Sequence, residues 1–213
     1  MESYATVKGR AVAEIEEKKS RFIASVAHVE TEEEALAFLE EIRAANRMAR
    51  HNVYAYVLRS ADGQGTGGER VRYSDDGEPQ KTAGLPTLEV IRHAGLTDIA
   101  VVVTRYFGGV LLGTGGLVRA YTQATQAGIA AAEHVSVSCC VDVELVLPYS
   151  SYEQVKRLAL EHGAKLVDER FTDEVSLVAR LLDGSQDAFL KSLSELMHGK
   201  ERAAVKGPYH AVF

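Results

Sequence analysis

Residues 104–121 read TRYFGGVLLGTGGLVRAY, with five glycines between Arg105 and Arg119. Glycine-rich segments that open a helix bring backbone N–H groups close to anions, and flanking arginines add charge. The familiar nucleotide templates do not fit. Gly108 and Gly113 have P-loop spacing, but Thr114 stands where the lysine belongs. Gly113 and Gly115 begin a dinucleotide fingerprint that fails at Val118. Two readings stay open. Either Gly108, Gly109 and the helix start hold a phosphate with help from Arg105 and Arg119, or the glycines permit a tight strand-to-helix corner while Arg105 pairs with a carboxylate.

Acids for such a pairing lie in RYSDDGEPQKTAGLP, residues 72–86. Asp75, Asp76 and Glu78 cluster on a turn marked by Gly77 and Pro79. Such a cluster can bind Mg²⁺, serve in acid–base chemistry, or cap backbone N–H groups. The spacing is not that of a calcium loop. Thr82 opens the next helix, whose free N–H groups would add an anion site beside the acids. The layout expected is one cleft with the 75–84 turn on one side and the 108–116 loop on the other, and Arg105 bonded to one of the three acids.

A third stretch, MARHNVYAY, lies within a segment without acids from Ile42 to Arg59. Arg43, Arg47 and Arg50 form a basic strip, and His51 begins a strand on which Tyr54 and Tyr56 share one face. Arginines beside exposed rings suit RNA backbone contacts and base stacking. The same pattern also describes an ordinary half-buried strand beside a solvated arginine face.

These residues need elements to hold them. Alternation predicts strands at 4–15 and 20–28. TEEEALAFLEEIRAAN (31–46) predicts a helix with a Thr31/Glu34 capping box and a Leu36/Leu39/Ile42 face. Then follow strands at 52–59 and 69–73, joined by a glycine-rich loop at 61–68, a helix at 84–95, a strand through DIAVVVTRY, and an Ala/Gly-rich helix at 115–133. The second half predicts strand 139–147, helix 150–162 with a Ser150/Glu153 box, strands 164–171 and 174–182, helix 185–198 and strand 201–206. That β-α-β-β-α-β order is ferredoxin-like. The fold class expected is α+β in two domains, 1–134 and 138–213.

Composition sets outer bounds. The 213 residues are 46% hydrophobic and 25% charged, with net charge −6, ordinary for a globular chain. The acidity weighs against wholesale polyanion binding but allows a local basic patch. No apolar run reaches spanning length. The N-terminus carries Glu2, Glu14, Glu16 and Glu17 and has no leader-like apolar core. The only cysteines, Cys139 and Cys140, are adjacent, so neither a disulfide nor a zinc site is expected. The expectation is a reduced, cytoplasmic protein with no metal and no cofactor.

EKKSRFIA (17–24), SDDGEPQKTAGLP (74–86) and VVVTRYFGGVLLGTGGLVRAY (101–121) occur together and in that order. Together they resemble the YigZ/IMPACT family, UPF0029, and the tail resembles the DUF1949 domain of its bacterial members. The resemblance implies a first domain with the fold of ribosomal protein S5 domain 2. It also implies likeness of the two domains to domains IV and V of the translocase EF-G, and RNA or the ribosome as partner. The family's eukaryotic member regulates translation with an additional N-terminal RWD domain. This chain is read as starting at the shared domain, so the role served by the RWD domain is not expected to transfer. Two functions are carried forward. One is RNA or ribosome binding in a translation-related role, without enzymatic activity. The other is a small-molecule enzyme or phosphate-ligand protein built on the polar cleft.

Overall fold

The computed structural model describes residues 3–59 and 68–213, so the expected loop at 61–68 lies, but for Gly68, outside the described residues. The fold is mixed α+β and divides into two compact units, residues 4–135 and residues 136–213.

The first unit holds β1 (Tyr4–Lys8), β2 (Arg10–Glu17), β3 (Ser20–His28), α1 (Glu32–Ala45), β4 (His51–Leu58), β5 (Arg70–Ser74), α2 (Gly84–His93), β6 (Ile99–Tyr106) and α3 (Thr114–Ala131). Its five-stranded sheet has the order β2-β3-β6-β4-β5, with every neighbouring pair antiparallel. β6 is central and buried on both faces, which explains its unbroken apolar run. Val53, Ala55, Val57, Val101 and Val103 face α2 and α3. The alternate residues Tyr56, Leu58, Ala100 and Val102 pack with Phe38 and Leu39 of α1.

Several local expectations change. The strand expected at 4–15 breaks at Gly9, whose φ of 66° ends one ladder and starts another. β1 thus leaves the five-stranded sheet and pairs with β7 (Glu133–Leu147). Thr31 does cap α1, its Oγ1 accepting from the Glu34 N–H at 3.1 Å. The Glu34 carboxylate, however, accepts from the N–H of Glu30 at 2.7 Å rather than from the cap residue. The buried face of α1 is Ala35, Phe38 and Leu39, with Ile42 partly buried, while Leu36 is exposed.

The second unit continues β7 through α4 (Tyr149–Glu161), β8 (Lys165–Phe171), β9 (Val175–Leu182), α5 (Gln186–Met197) and β10 (Arg202–Val212). Antiparallel pairing gives the order β10-β7-β9-β8, the ferredoxin-like arrangement, over a core of Val143, Leu145, Leu177, Ala179, Phe189 and Leu193. Ser150 is not the cap of α4. Pro148 occupies that position with no side-chain cap, because proline's fixed φ suits a helix entry and starts the helix earlier. Arg180 of β9 donates to Asp142 of β7 at 2.8 and 3.1 Å, and the Tyr209 hydroxyl of β10 also donates to Asp142. These bonds hold the Asp142 carboxyl below its usual range.

Candidate functional site

The register of the first sheet brings the three distinctive stretches to one end. β2 ends at Glu17 opposite Ser20, Arg21 of β3 faces Tyr106, His51 of β4 faces Arg105, and Ser74 at the end of β5 faces Tyr54. The turn after β5, the loop after β6, the β2–β3 hairpin tip and the α1–β4 connection therefore meet there.

In the turn each acid has its own task. The Asp75 carboxylate accepts from the N–H groups of Lys81, Ala83 and Gly84 at 2.8–3.0 Å and so caps α2 from nine residues away. Asp76, held at φ 44°, accepts from the Asn52 N–H at 2.7 Å and from Arg43 at 3.0 Å. That non-glycine positive φ is tolerated because the turn is fixed at both ends. His51 Nδ1 lies 2.8 Å from the Asp76 carbonyl oxygen, which fixes Nδ1 as the donor. Thr82 is buried and its hydroxyl donates to the Pro79 carbonyl at 2.7 Å, closing the turn on itself.

Glu78 is the partner of Arg105. Arg105 Nη1 donates to Glu78 Oε1 at 2.7 Å, with side chains only 8% and 4% exposed, and the Tyr121 hydroxyl of α3 donates to the same oxygen at 2.9 Å. Burial and the neighbouring Glu78 charge push the Tyr121 phenol far up, so it stays a donor. Arg105 Nε finds no acceptor among the described residues. The guanidinium instead lies over two rings, 5.5 Å from the centroid of Phe22 and 5.7 Å from that of Phe107. The three carboxylates thus point to different partners rather than converging. At Glu78 and Arg105 the expected cleft is filled by their own ion pair.

The glycine loop is explained first by packing. A Cβ on Gly108 would lie 2.0 Å from the Lys19 carbonyl, and the Gly108 N–H donates to Ser20 Oγ at 3.1 Å. Gly109 and Gly113 take φ of 84° and 71° to turn the chain into α3. α3 begins without a side-chain cap. Arg119 is exposed, with Nη1 3.9 Å from where a Cβ on Gly115 would stand.

The expected RNA face is corrected in part. Tyr56 is buried under α1 and donates its hydroxyl to Glu32 at 2.6 Å. Burial and that carboxylate push the phenol up to about 12. Tyr54 is half-buried and stacks on Tyr56 at 6.3 Å. Tyr56 offers no free face, because α1 covers this side of β4, while Tyr54 stays partly exposed. Arg43 is engaged by Glu40 and Asp76. Arg47 and Arg50 are exposed.

Other residues at this end carry no nucleotide-like motif and emerge only from the assembly. Lys18 and Lys19 form the two-residue tip of the β2–β3 hairpin with φ of 48° and 65°, positions where Asn-Gly is the relaxed choice. With Arg47, Arg50, Lys81 and Arg119 they make six exposed cations. Among the described residues none of the six has a carboxylate within ion-pair distance. Phe107, 51% exposed, and Leu111, 84% exposed, project from the same loop.

The Impact N-terminal domain model matches residues 18–129, and the domain of unknown function DUF1949 matches residues 145–200. The chain is similar to an IMPACT family member of Haemophilus influenzae, with 35% identity over 201 residues, covering 94% of this chain and 95% of that one. It is similar to the IMPACT family member YvyE of Bacillus subtilis at 34% identity over 206 residues, covering 94% and 89%. A crystal structure of a hypothetical protein superposes with a TM-score of 0.60 at 31% identity, covering 98% of this chain and all of that one.

Proposed function

The chain belongs to the IMPACT family, and from that premise we propose that it binds RNA or the ribosome, in a translation-related role, through the cationic end of its first sheet. One observation carries the reading. Six exposed cations with no ion-pair partner among the described residues stand at the end where Asp76, Glu78 and Glu14 are paired with Arg43, Arg105 and Arg21 and Asp75 caps α2, which leaves Glu16 and Glu17 as the acids beside them without an ion pair. Six such cations outnumber these acids and favour a local cationic patch on a chain of net charge −6, and phosphate backbones are bound through such patches.

The polar-cleft alternative loses its central members to structure. Asp75, Glu78, Thr82 and Arg105 are bound to one another's segments, which weighs against their serving as an acid–base pair. Arg119 beside the uncapped start of α3 fits a backbone phosphate of RNA as well as it fits a small anion.

The test is ribosome co-sedimentation together with anisotropy of a labelled RNA, each across a salt series. A single strand engaging all six cations gives a log–log salt slope of about −4. Replacing Arg47 and Arg50 together by Glu is expected to flatten the slope by at least about 1 and to lower affinity at every salt concentration. Absence of binding at low salt, or binding indifferent to salt and to this double replacement, overturns the reading.

A further inference from the structure

Phe107 meets the Arg105 guanidinium on one side, yet about half of the residue stays open to solvent. It follows β6 directly, and its ring is 51% exposed. Two residues further on, Gly109 turns the chain at φ 84°, and Leu112 buries itself as the inner anchor of the loop. Phe107 is therefore held up by a loop fixed at both ends. Its ring is also fixed in orientation. The Arg105 guanidinium lies over it at 5.7 Å, and that guanidinium is itself locked by Glu78 at 2.7 Å. A buried cation against an exposed ring makes an aromatic platform. The surrounding end of the sheet supplies Lys18, Lys19, Arg47, Arg50, Lys81 and Arg119 for phosphates.

Resting on the RNA reading above, we infer that Phe107 stacks an unpaired base, so that the partner is single-stranded RNA or a loop rather than a continuous duplex. In a duplex every base is covered above and below, and a half-exposed ring beside cations would find only backbone. An unpaired base presents the π face that such a ring fits, as single-strand binders use it. Charge complementarity selects the class of partner and the ring selects its strandedness. An apolar protein surface would fit Leu111 and Phe107 but leave the six cations uncompensated.

The experiment compares the full chain with its Phe107→Ala, Phe107→Leu and Phe107→Tyr variants. Binding is read by anisotropy to a labelled RNA of about 16 nucleotides, free and annealed to its complement. Expected results are tighter binding of the single strand, a loss of roughly fivefold or more in Phe107→Ala and Phe107→Leu, and retention in Phe107→Tyr. Because stacking releases no counterions, the salt slope should not change in any of the three. Phe107→Leu keeps the apolar bulk, and unchanged native-state hydrogen exchange of β6 and α3 separates lost stacking from lost folding. Equal binding of strand and duplex overturns the inference. So does wild-type affinity in Phe107→Leu while the Arg47/Arg50 replacement still weakens binding, which refutes the platform but leaves the RNA reading standing. If the wild-type chain binds neither RNA, both fall together.

Discussion

Replacing Glu78 by Gln removes one charge from a pair whose two side chains are nearly dry. Gln keeps the volume and an acceptor for Tyr121, so no cavity opens and the 2.9 Å bond to the phenol survives. What is lost is the countercharge of Arg105, whose side chain is 8% exposed and whose Nε has no acceptor among the described residues. Stranding a buried charge in this way costs about 3–5 kcal/mol. Removing the stranded cation as well, by adding Arg105→Met, should restore most of that loss, since Met fills the space of the arginine stem beside Phe22 and Phe107. A coupling of at least about 2 kcal/mol between the two positions is expected. Because the chain has two compact units, a global melt would mix their transitions. Native-state hydrogen exchange of β6 and α3, read by mass spectrometry, isolates the right unit. Glu14→Gln, which leaves exposed Arg21 without its partner, is the control and should leave exchange unchanged. A Glu78→Gln loss below about 1 kcal/mol, the scale of a surface pair, or a double variant equal to the sum of the singles, refutes the account.

Gly108→Ala should destabilise the first unit by about 3 kcal/mol in the same exchange measurement, because its Cβ meets the Lys19 backbone at 2.0 Å. Replacing Lys18-Lys19 by Asn-Gly should relieve the left-handed lysines and stabilise the hairpin by about 1 kcal/mol while weakening RNA binding. A variant that gains stability and keeps full affinity would remove those lysines from the site. Subtracting the alkaline absorbance titration of Tyr56→Phe from that of the parent should isolate a phenol with a midpoint near 12; a midpoint at the ordinary value would mean the Glu32 bond does not persist. In the second unit, Asp142 has its carboxyl lowered by Arg180, so its contribution to stability is full above about pH 4 and is lost as pH falls through its folded value. Urea midpoints measured from neutral to acid pH should show that decline, and Arg180→Leu should lose it.

Element types were largely legible in the sequence because periodicity reports burial directly. The ferredoxin-like half shows it, since β7 and β9 alternate cleanly and one face is covered. The α1 cap was legible because Thr31 and Glu34 act within one turn. A carboxylate for Arg105 among residues 75–78 followed from the energy of burying a guanidinium, though only the structure singles out Glu78. The tyrosines of β4 mislead for a definable reason. Alternation places Tyr54 and Tyr56 on one face, but which helix covers that face depends on a chain crossing that local pattern does not encode. The reason for Gly108 was equally hidden, because the atoms it must avoid belong to a hairpin 88 residues earlier. Phe107 carries no signal of its own in the sequence, since exposure is a property of the assembled end.

If the proposed reading holds, the cations and the Phe107 ring divide the work of association in time. A chain of net charge −6 repels a polyanion from most directions, so the patch of six acts over a Debye length as the approach that draws it in. Substitutions there should slow capture and do so less as ionic strength rises, while loss of the Phe107 ring should leave capture alone and shorten the lifetime of the complex. Encounter and residence are then set by different residues, and a cell could adjust one without disturbing the other.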